Sequence, residues 1–219
     1  MKLRDAWLHA VVPGDYDQHM ERNGQAAANA ALVADLLMRF PPSPEGRVLI
    51  AGAGTGQLLA LAPRVFAELR LLCTDINPVF LDQLSATARS SGLASVKTAV
   101  DDIEDTRLQP GFDTIIVVLV LEHVDWHRAL ASLASLGARQ MIVVIQQNPA
   151  SSPAVLSASP TIAGTMRVFL QAQPALIPPA ALVKEARKHQ FVAVAEESAD
   201  VADRKAMRAF VLSATGLNP

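Results

Sequence analysis

The chain has 219 residues, 51% of them hydrophobic, and a formal net charge of −2 from 19 Lys and Arg against 21 Asp and Glu. That length fits one α/β unit with a full core, and the balanced charge without any basic block excludes the clustered cations that non-specific nucleic-acid binding requires. A single cysteine, Cys73, rules out an internal disulfide or a cysteine zinc cluster, and the longest apolar run, "IIVVLVL", falls far short of the roughly 20 residues that span a bilayer.

The N-terminal "MKLRDAWLHAVVPGD" lacks the sustained apolar core of a signal peptide, so a cytoplasmic location without membrane contact is expected. From Gln18 to about Arg39 the chain is Ala-rich with Leu and Met on one face, which predicts one helix ending at Pro41-Pro42. "PPSPEG" reads as a short turn. Strand and helix signals then alternate. "RVLIA", "LRLLCTD", "ASVKTAV", "FDTIIVVLV" and "RQMIVVIQ" read as strands, while "GQLLALAPRVF", "PVFLDQLSATARS" and "WHRALASLASLG" read as helices. Continuous apolar strands joined by amphipathic helices mean βαβ units and a doubly wound, mostly parallel sheet covered on both faces, a three-layer α/β/α arrangement.

The rhythm breaks over residues 148–179, which hold six prolines and a short helix signal at "AGTMRVFLQ". A connection of that length is expected to be a lid or binding insert. Its apolar Met166, Phe169, Leu170 and Ile177 suit an uncharged or amphipathic small ligand, and would serve equally as a homodimer contact. A helix, "PAALVKEARKHQ", and two strands, "FVAVAEES" and "AMRAFVLSA", close the chain as a hairpin joined by "ADVADRK". One domain over 1–219 is expected, with an N-terminal helical cap (1–45), a core (46–147), the insert (148–179) and the terminal helix and hairpin (180–214).

The glycine turn is the strongest local signal. "RVLIA" runs straight into Gly52-Ala53-Gly54-Thr55-Gly56 and then a helix, so the backbone turns sharply and a ligand can approach the main chain and the free N–H groups behind it. The next strand ends at Asp75, 23 residues after Gly52, where a carboxylate can accept both hydroxyl hydrogens of a ribose. A dinucleotide site wants a small residue at the sixth position of the turn, where this chain has Gln57, and its third glycine falls one place early. Both points count against a nicotinamide-dependent oxidoreductase.

The pattern resembles the first motif of class I S-adenosylmethionine-dependent methyltransferases, and the likeness extends over about Arg47 to Ala214. "LLCTDINPVFLDQL" is similar to their second motif, "VDDIED" to their third, and "FDTIIVVLVLEHVDWHRAL" to their fourth strand and the loop after it. The resemblance implies a Rossmann-like seven-stranded sheet in the order 3-2-1-4-5-7-6, with strand 7 antiparallel. It also implies methyl transfer from S-adenosyl-L-methionine to a small-molecule acceptor. The implied cofactor residues are Ala51, Gly52, Ala53, Gly54, Gly56 and Gln57 in the turn, Asp75 on the ribose, Ile76, Asp102 and Ile103 at the adenine, and Leu119 beside the cofactor. Tyr16, the only tyrosine, lies in the densely functional "GDYDQHMERNGQ" with His19 and Gln25, where similar enzymes fold an N-terminal helix over the methionine end.

One position departs from the family. An acid usually stands two places before the first glycine and helps to place the cofactor's ammonium, but here the residue is Ile50. Either another group takes the ammonium, or the chain is a cofactor-binding subunit without catalysis. For the chemistry, His123 and then Glu122 are the candidates for a base or an acceptor ligand, because they follow the fourth strand at the edge where open α/β sheets bind ligands. The plainer alternative is that "LEHV" opens the next helix. His123 and His127, four apart, would share one helix face, but no third ligand stands out and no metal is expected.

Overall fold

In the computed structural model, residues 2–149, 164–171 and 174–216 are described. Their seven strands are β1 (Arg47–Ala51), β2 (Arg70–Asp75), β3 (Lys97–Val100), β4 (Thr114–Val118), β5 (Gln140–Gln147), β6 (Phe191–Asp200) and β7 (Ala206–Ala214). They form one sheet in the order β3-β2-β1-β4-β5-β7-β6. The pairings from β3 to β5 are parallel, and β7 runs antiparallel to both β5 and β6. This is the order and direction that the sequence resemblance implies.

The helices are α1 (Leu3–His9), α2 (Pro13–Arg22), α3 (Gln25–Arg39), α4 (Gln57–Leu61), α5 (Pro63–Phe66), α6 (Pro78–Ser90), α7 (Trp126–Ala134) and α8 (Pro179–Lys188). Alternation along the buried strands feeds two cores, one on each face of the sheet. Leu49, Ile115, Val117, Met141 and Val143 point to one face, where α7 and α8 supply Leu130, Leu133 and Leu182. Val48, Ile50, Cys73, Ile116 and Ile142 point to the other, under Val33 and Leu36 of α3, Leu59 of α4 and Leu84 of α6. Cys73 is an inert strand thiol, its pKa pushed up to about 12 by burial.

Two helices differ from expectation. The single helix predicted from Gln18 is two helices, because Gly24 sits at φ +72 between Asn23 and Gln25 and turns the chain. "GQLLALAPRVF" is likewise split at Ala62, whose φ of −129 leaves the helical region just before Pro63 opens α5. A further helix, α1, precedes both. Half of the predicted insert, residues 150–163 and 172–173, lies outside the described residues. Where it is described, a 3₁₀ helix spans Gly164–Leu170, and Met166, Phe169 and Ile177 are buried within this chain, leaving Leu170 as the exposed member of the apolar set.

Candidate functional site

The carboxyl ends of β1, β2, β3 and β4 open into a cleft. Ligands in open α/β sheets bind at this edge. Among the predicted residues, Gly52, Gly54, Asp75, Ile76, Asp102, Ile103, Leu119, Tyr16, Glu122 and His123 line it. Ala53 and Gln57 border a smaller side cavity, and Ala51 and Gly56 line neither.

The turn is built for close approach. Gly52 takes φ +66, and a Cβ there would collide with the side chain of Val120. Ala53 N donates to Thr74 O at 2.8 Å, fastening the turn to β2. Gly54 N donates to Asp75 Oδ2 at 3.0 Å and Asn77 N to Asp75 Oδ1 at 2.9 Å. Burial raises the Asp75 pKa while these N–H groups pull it down. With the N–H of Ile76 also donating to it, the carboxylate accepts three backbone bonds, and its four lone-pair sites leave one for the cleft. Gly56 has another job: a Cβ there would lie 3.1 Å from Leu84, so the glycine lets α4 pack on α6. Gln57 Nε2 donates to Asp17 Oδ1 at 2.9 Å, and Thr55 Oγ1 donates to the same carboxylate, which ties α2 to the turn.

Ile50 is 3% exposed and belongs to the sheet core. It also borders the side cavity, together with Gly52, Tyr16 and Asn29 of α3. Asn29 is 2% exposed and its Oδ1 has no hydrogen-bond partner. A buried acceptor without a donor is costly and marks a place for one.

After β3 the adjacent acids divide the work. Asp101, which also borders the cleft, accepts from Thr106 Oγ1 at 2.7 Å and Arg107 N at 3.1 Å, fixing the loop. Asp102 faces the cleft, accepts from Glu104 N at 3.0 Å and forms an ion pair with Arg4 of α1. Leu119, just past β4, has φ +54, and its N–H donates to Val144 O at 2.9 Å. A non-glycine residue in the left-handed region is a strained backbone at the cleft wall.

Aromatic rings roof the cleft. Trp7 of α1 meets Tyr16, Phe80 and His123 edge-on at 5.7, 5.9 and 5.0 Å, and Phe169 lies 4.9 Å from it. Tyr16 lies against Gly54. Burial and the neighbouring Asp17 and Asp75 raise its pKa, so the hydroxyl keeps its proton. Asp15 accepts from Thr165 N at 2.8 Å and from its Oγ1 at 2.7 Å, joining α2 to the 3₁₀ helix of the insert.

Glu122 and His123 sit in a separate 3₁₀ turn, Leu121–His123, rather than opening the next helix; α7 starts at Trp126 with Asp125 as its cap. Glu122 Oε1 accepts from Gln146 N at 2.7 Å, while Oε2 is buried without a partner. Burial raises this carboxyl to about 7. His123 Nδ1 is also buried without a partner, and burial lowers the imidazole to about 3. His127 does not join it. It stacks on Trp126 and pairs with Glu185 at 3.1 Å. Among the described residues no group of three or more metal-ligating side chains is placed to hold an ion.

Sequence reasoning passed over Asn23, Asn29, Gln146 and Lys205. Gln146 had a usable signal, a polar residue near the carboxyl end of an otherwise apolar strand. Lys205 had none, because it stands in a polar connector.

Residues 48–138 match the protein family described as "Methyltransferase domain". An 82-residue stretch is 34% identical to ribosomal RNA small subunit methyltransferase C of Shewanella loihica, covering 37% of this chain and 23% of that one, so the chain matches less than a quarter of that relative. The structure of magnesium protoporphyrin IX methyltransferase from Synechocystis PCC 6803 with bound SAH superposes with a TM-score of 0.65 at 16% identity, over 84% of this chain and 82% of that one. Geranyl diphosphate C-methyltransferase from Streptomyces coelicolor A3(2) gives a TM-score of 0.62 at 13% identity, over 84% and 78%. At such identities the likeness is one of fold.

Proposed function

We propose that the chain is a class I S-adenosylmethionine-dependent methyltransferase, a reading supported by the match of residues 48–138 to a methyltransferase domain and by the sheet order, and that it transfers a methyl group from S-adenosylmethionine to a small-molecule acceptor. The observation that carries this reading is the convergence of Gly52, Gly54, Asp75 and Asp102 on one cleft. Asp75 accepts from the ribose with its remaining lone-pair site, Asp102 and Ile103 hold the adenine, and the turn at Gly52 admits the cofactor close to the main chain. Asn29 replaces the acid missing at Ile50. Its partnerless Oδ1 beside the turn suits an ammonium, which brings the donor that this acceptor lacks.

S-adenosylmethionine supplies a methyl group on a sulfonium, already activated by the positive charge of its leaving group. The protein's work is therefore to align the acceptor and exclude water. Trp7, Tyr16, Phe80 and Phe169 close the cleft over the turn and exclude water. Where the acceptor atom carries a proton, Glu122 takes it at Oε2, because a carboxyl held near 7 is matched to neutral conditions. His123, neutral throughout that range, offers Nδ1 as a fixed hydrogen-bond acceptor. The order of the two candidates is thus the reverse of the one taken from sequence.

A small acceptor suits the aromatic roof and the charge balance better than RNA does. Incubation with methyl-labelled S-adenosylmethionine and a panel of small amphipathic acceptors should give labelled product and stoichiometric S-adenosylhomocysteine. Cofactor binding with no S-adenosylhomocysteine formed on any acceptor would instead favour a non-catalytic subunit.

A further inference from the structure

The aromatic roof of the cleft leaves hydrogen-bonding atoms unused. Trp7 Nε1, His123 Nδ1 and Glu122 Oε2 are each buried without a hydrogen-bond partner, and all three residues line the cleft. Buried polar atoms without partners are few in folded proteins, so three around one cleft mark a place for ligand groups. Glu122 Oε2 already has a role in taking a proton, but the indole N–H has none. Trp7 and His123 come from different elements, α1 and the turn after β4, and their rings meet edge-on at 5.0 Å with 86° between the planes. Phe169 completes the group, 4.9 Å from Trp7 and 5.4 Å from His123.

Both rings are held by main-chain bonds that leave their nitrogens unspent. Asn77 Nδ2 donates to Trp7 O at 2.7 Å, while the Oδ1 of the same asparagine caps α6 by accepting from Val79 N. His123 N donates to Val120 O at 2.9 Å, and Glu122 O accepts from Ala175 N at 2.8 Å. The indole N–H can only donate. The imidazole is neutral, because burial lowers it to about 3, and Nδ1 is taken as its acceptor nitrogen. One donor and one acceptor on touching rings match a ligand group that both accepts and donates at a single oxygen, which is a hydroxyl. The neighbours Phe80, Phe169 and Met166 are apolar and buried, which suits a flat, uncharged body.

We infer that Trp7 and His123 form a hydroxyl-recognition pair, so that the acceptor is a neutral aromatic alcohol of the phenol class with its ring against Phe80, Phe169 and Met166. The pair makes and breaks no covalent bond; it selects and orients the hydroxyl. The word acceptor rests on the methyltransferase reading, but the recognition of a hydroxyl does not.

The test is calorimetric titration of 2-naphthol, 2-methoxynaphthalene and 2-methylnaphthalene, each into the free protein and into protein saturated with S-adenosylhomocysteine. The hydroxyl both accepts and donates, the methoxy group only accepts, and the methyl group does neither. 2-Naphthol should bind at least about tenfold tighter than 2-methylnaphthalene, with 2-methoxynaphthalene between them, because a site built around a hydroxyl leaves its own buried groups unpaired with the analogues. Trp7→Phe should remove the preference for methoxy over methyl, and His123→Phe the preference for hydroxyl over methoxy. Ratios within one variant are compared, so ring area lost by the substitution cancels. Equal binding of 2-naphthol and 2-methylnaphthalene, methoxy binding as tight as hydroxyl, or preferences that survive both substitutions would each overturn the inference. Exclusion of 2-naphthol by S-adenosylhomocysteine would overturn it too, and the parent protein's three affinities decide the matter even if a variant fails to fold. Failure of S-adenosylhomocysteine to bind would instead overturn the cofactor reading, since the free-protein titrations test the pair without it.

Discussion

At the β1–β2 end the cleft is walled mostly by main chain, with the Asp75 carboxylate held by the backbone N–H groups of Gly54, Ile76 and Asn77. At the β5–β7 end it is walled by side chains from several elements, among them a carboxyl and a lysine that are both nearly inaccessible. On the proposed reading the first arrangement would recognise groups common to every cofactor molecule, and it is fixed by local chain geometry. The second depends on which side chains the tertiary fold brings together, and it can be exchanged without disturbing the turn. A fold that serves many acceptors with one cofactor needs this division.

The comparison can be broken most forcefully at Glu122. Its folded pKa of about 7 stands above the ordinary 4.5, so its contribution to stability is fully present below 4.5 and is lost as pH rises through 7. Glu122→Gln keeps an acceptor for Gln146 N but carries no charge. The variant should match the parent near pH 4 and be more stable by about 3 kcal/mol at pH 8.5, measured by denaturant unfolding. His19 and His123, whose lowered values act in the opposite direction, cancel because both proteins contain them. A constant difference across that range would mean that Glu122 is not buried as described.

Asp75→Ala tests the other end. It should weaken S-adenosylhomocysteine binding about 100-fold, or about 2.7 kcal/mol, with little change in acceptor-end binding. Asn29→Ala should separate binding from stability. Affinity should fall about tenfold while the unfolding midpoint holds or rises, because a partnerless buried acceptor is removed. Loss of both together would mean that Asn29 has a structural partner. The smallest effect is expected from Gly56→Ala, where contact with Leu84 and φ +87 cost about 1 kcal/mol of stability and the affinity is unchanged.

These ends also differ in how far the sequence discloses them. Gly52, Gly54 and Asp75 are legible because the turn, its helix and the next strand follow one another within two dozen residues, so spacing alone implies their convergence. The sheet order was available only through resemblance, since hydrophobic periodicity assigns strands without neighbours. Lys205, Asn23 and Gln146 lie far apart in the chain and meet because the β6–β7 connection folds back onto the α2–α3 turn. Asn29 is hidden for another reason. In an Ala-rich helix an isolated asparagine reads as a solvent-facing residue, and only the orientation of α3 against β1 turns it inward. The break at Gly24 was present in "RNGQ", but the helical periodicity on either side masked it.

The central claim is that the glycine turn and Asp75 hold S-adenosylmethionine, and its most direct test is calorimetric titration of the purified protein with S-adenosylhomocysteine and, separately, NADH. The account predicts one molecule of S-adenosylhomocysteine bound per chain, strongly weakened in Asp75→Ala, and no heat from NADH. Binding of NADH, or S-adenosylhomocysteine affinity unchanged by Asp75→Ala, would contradict it.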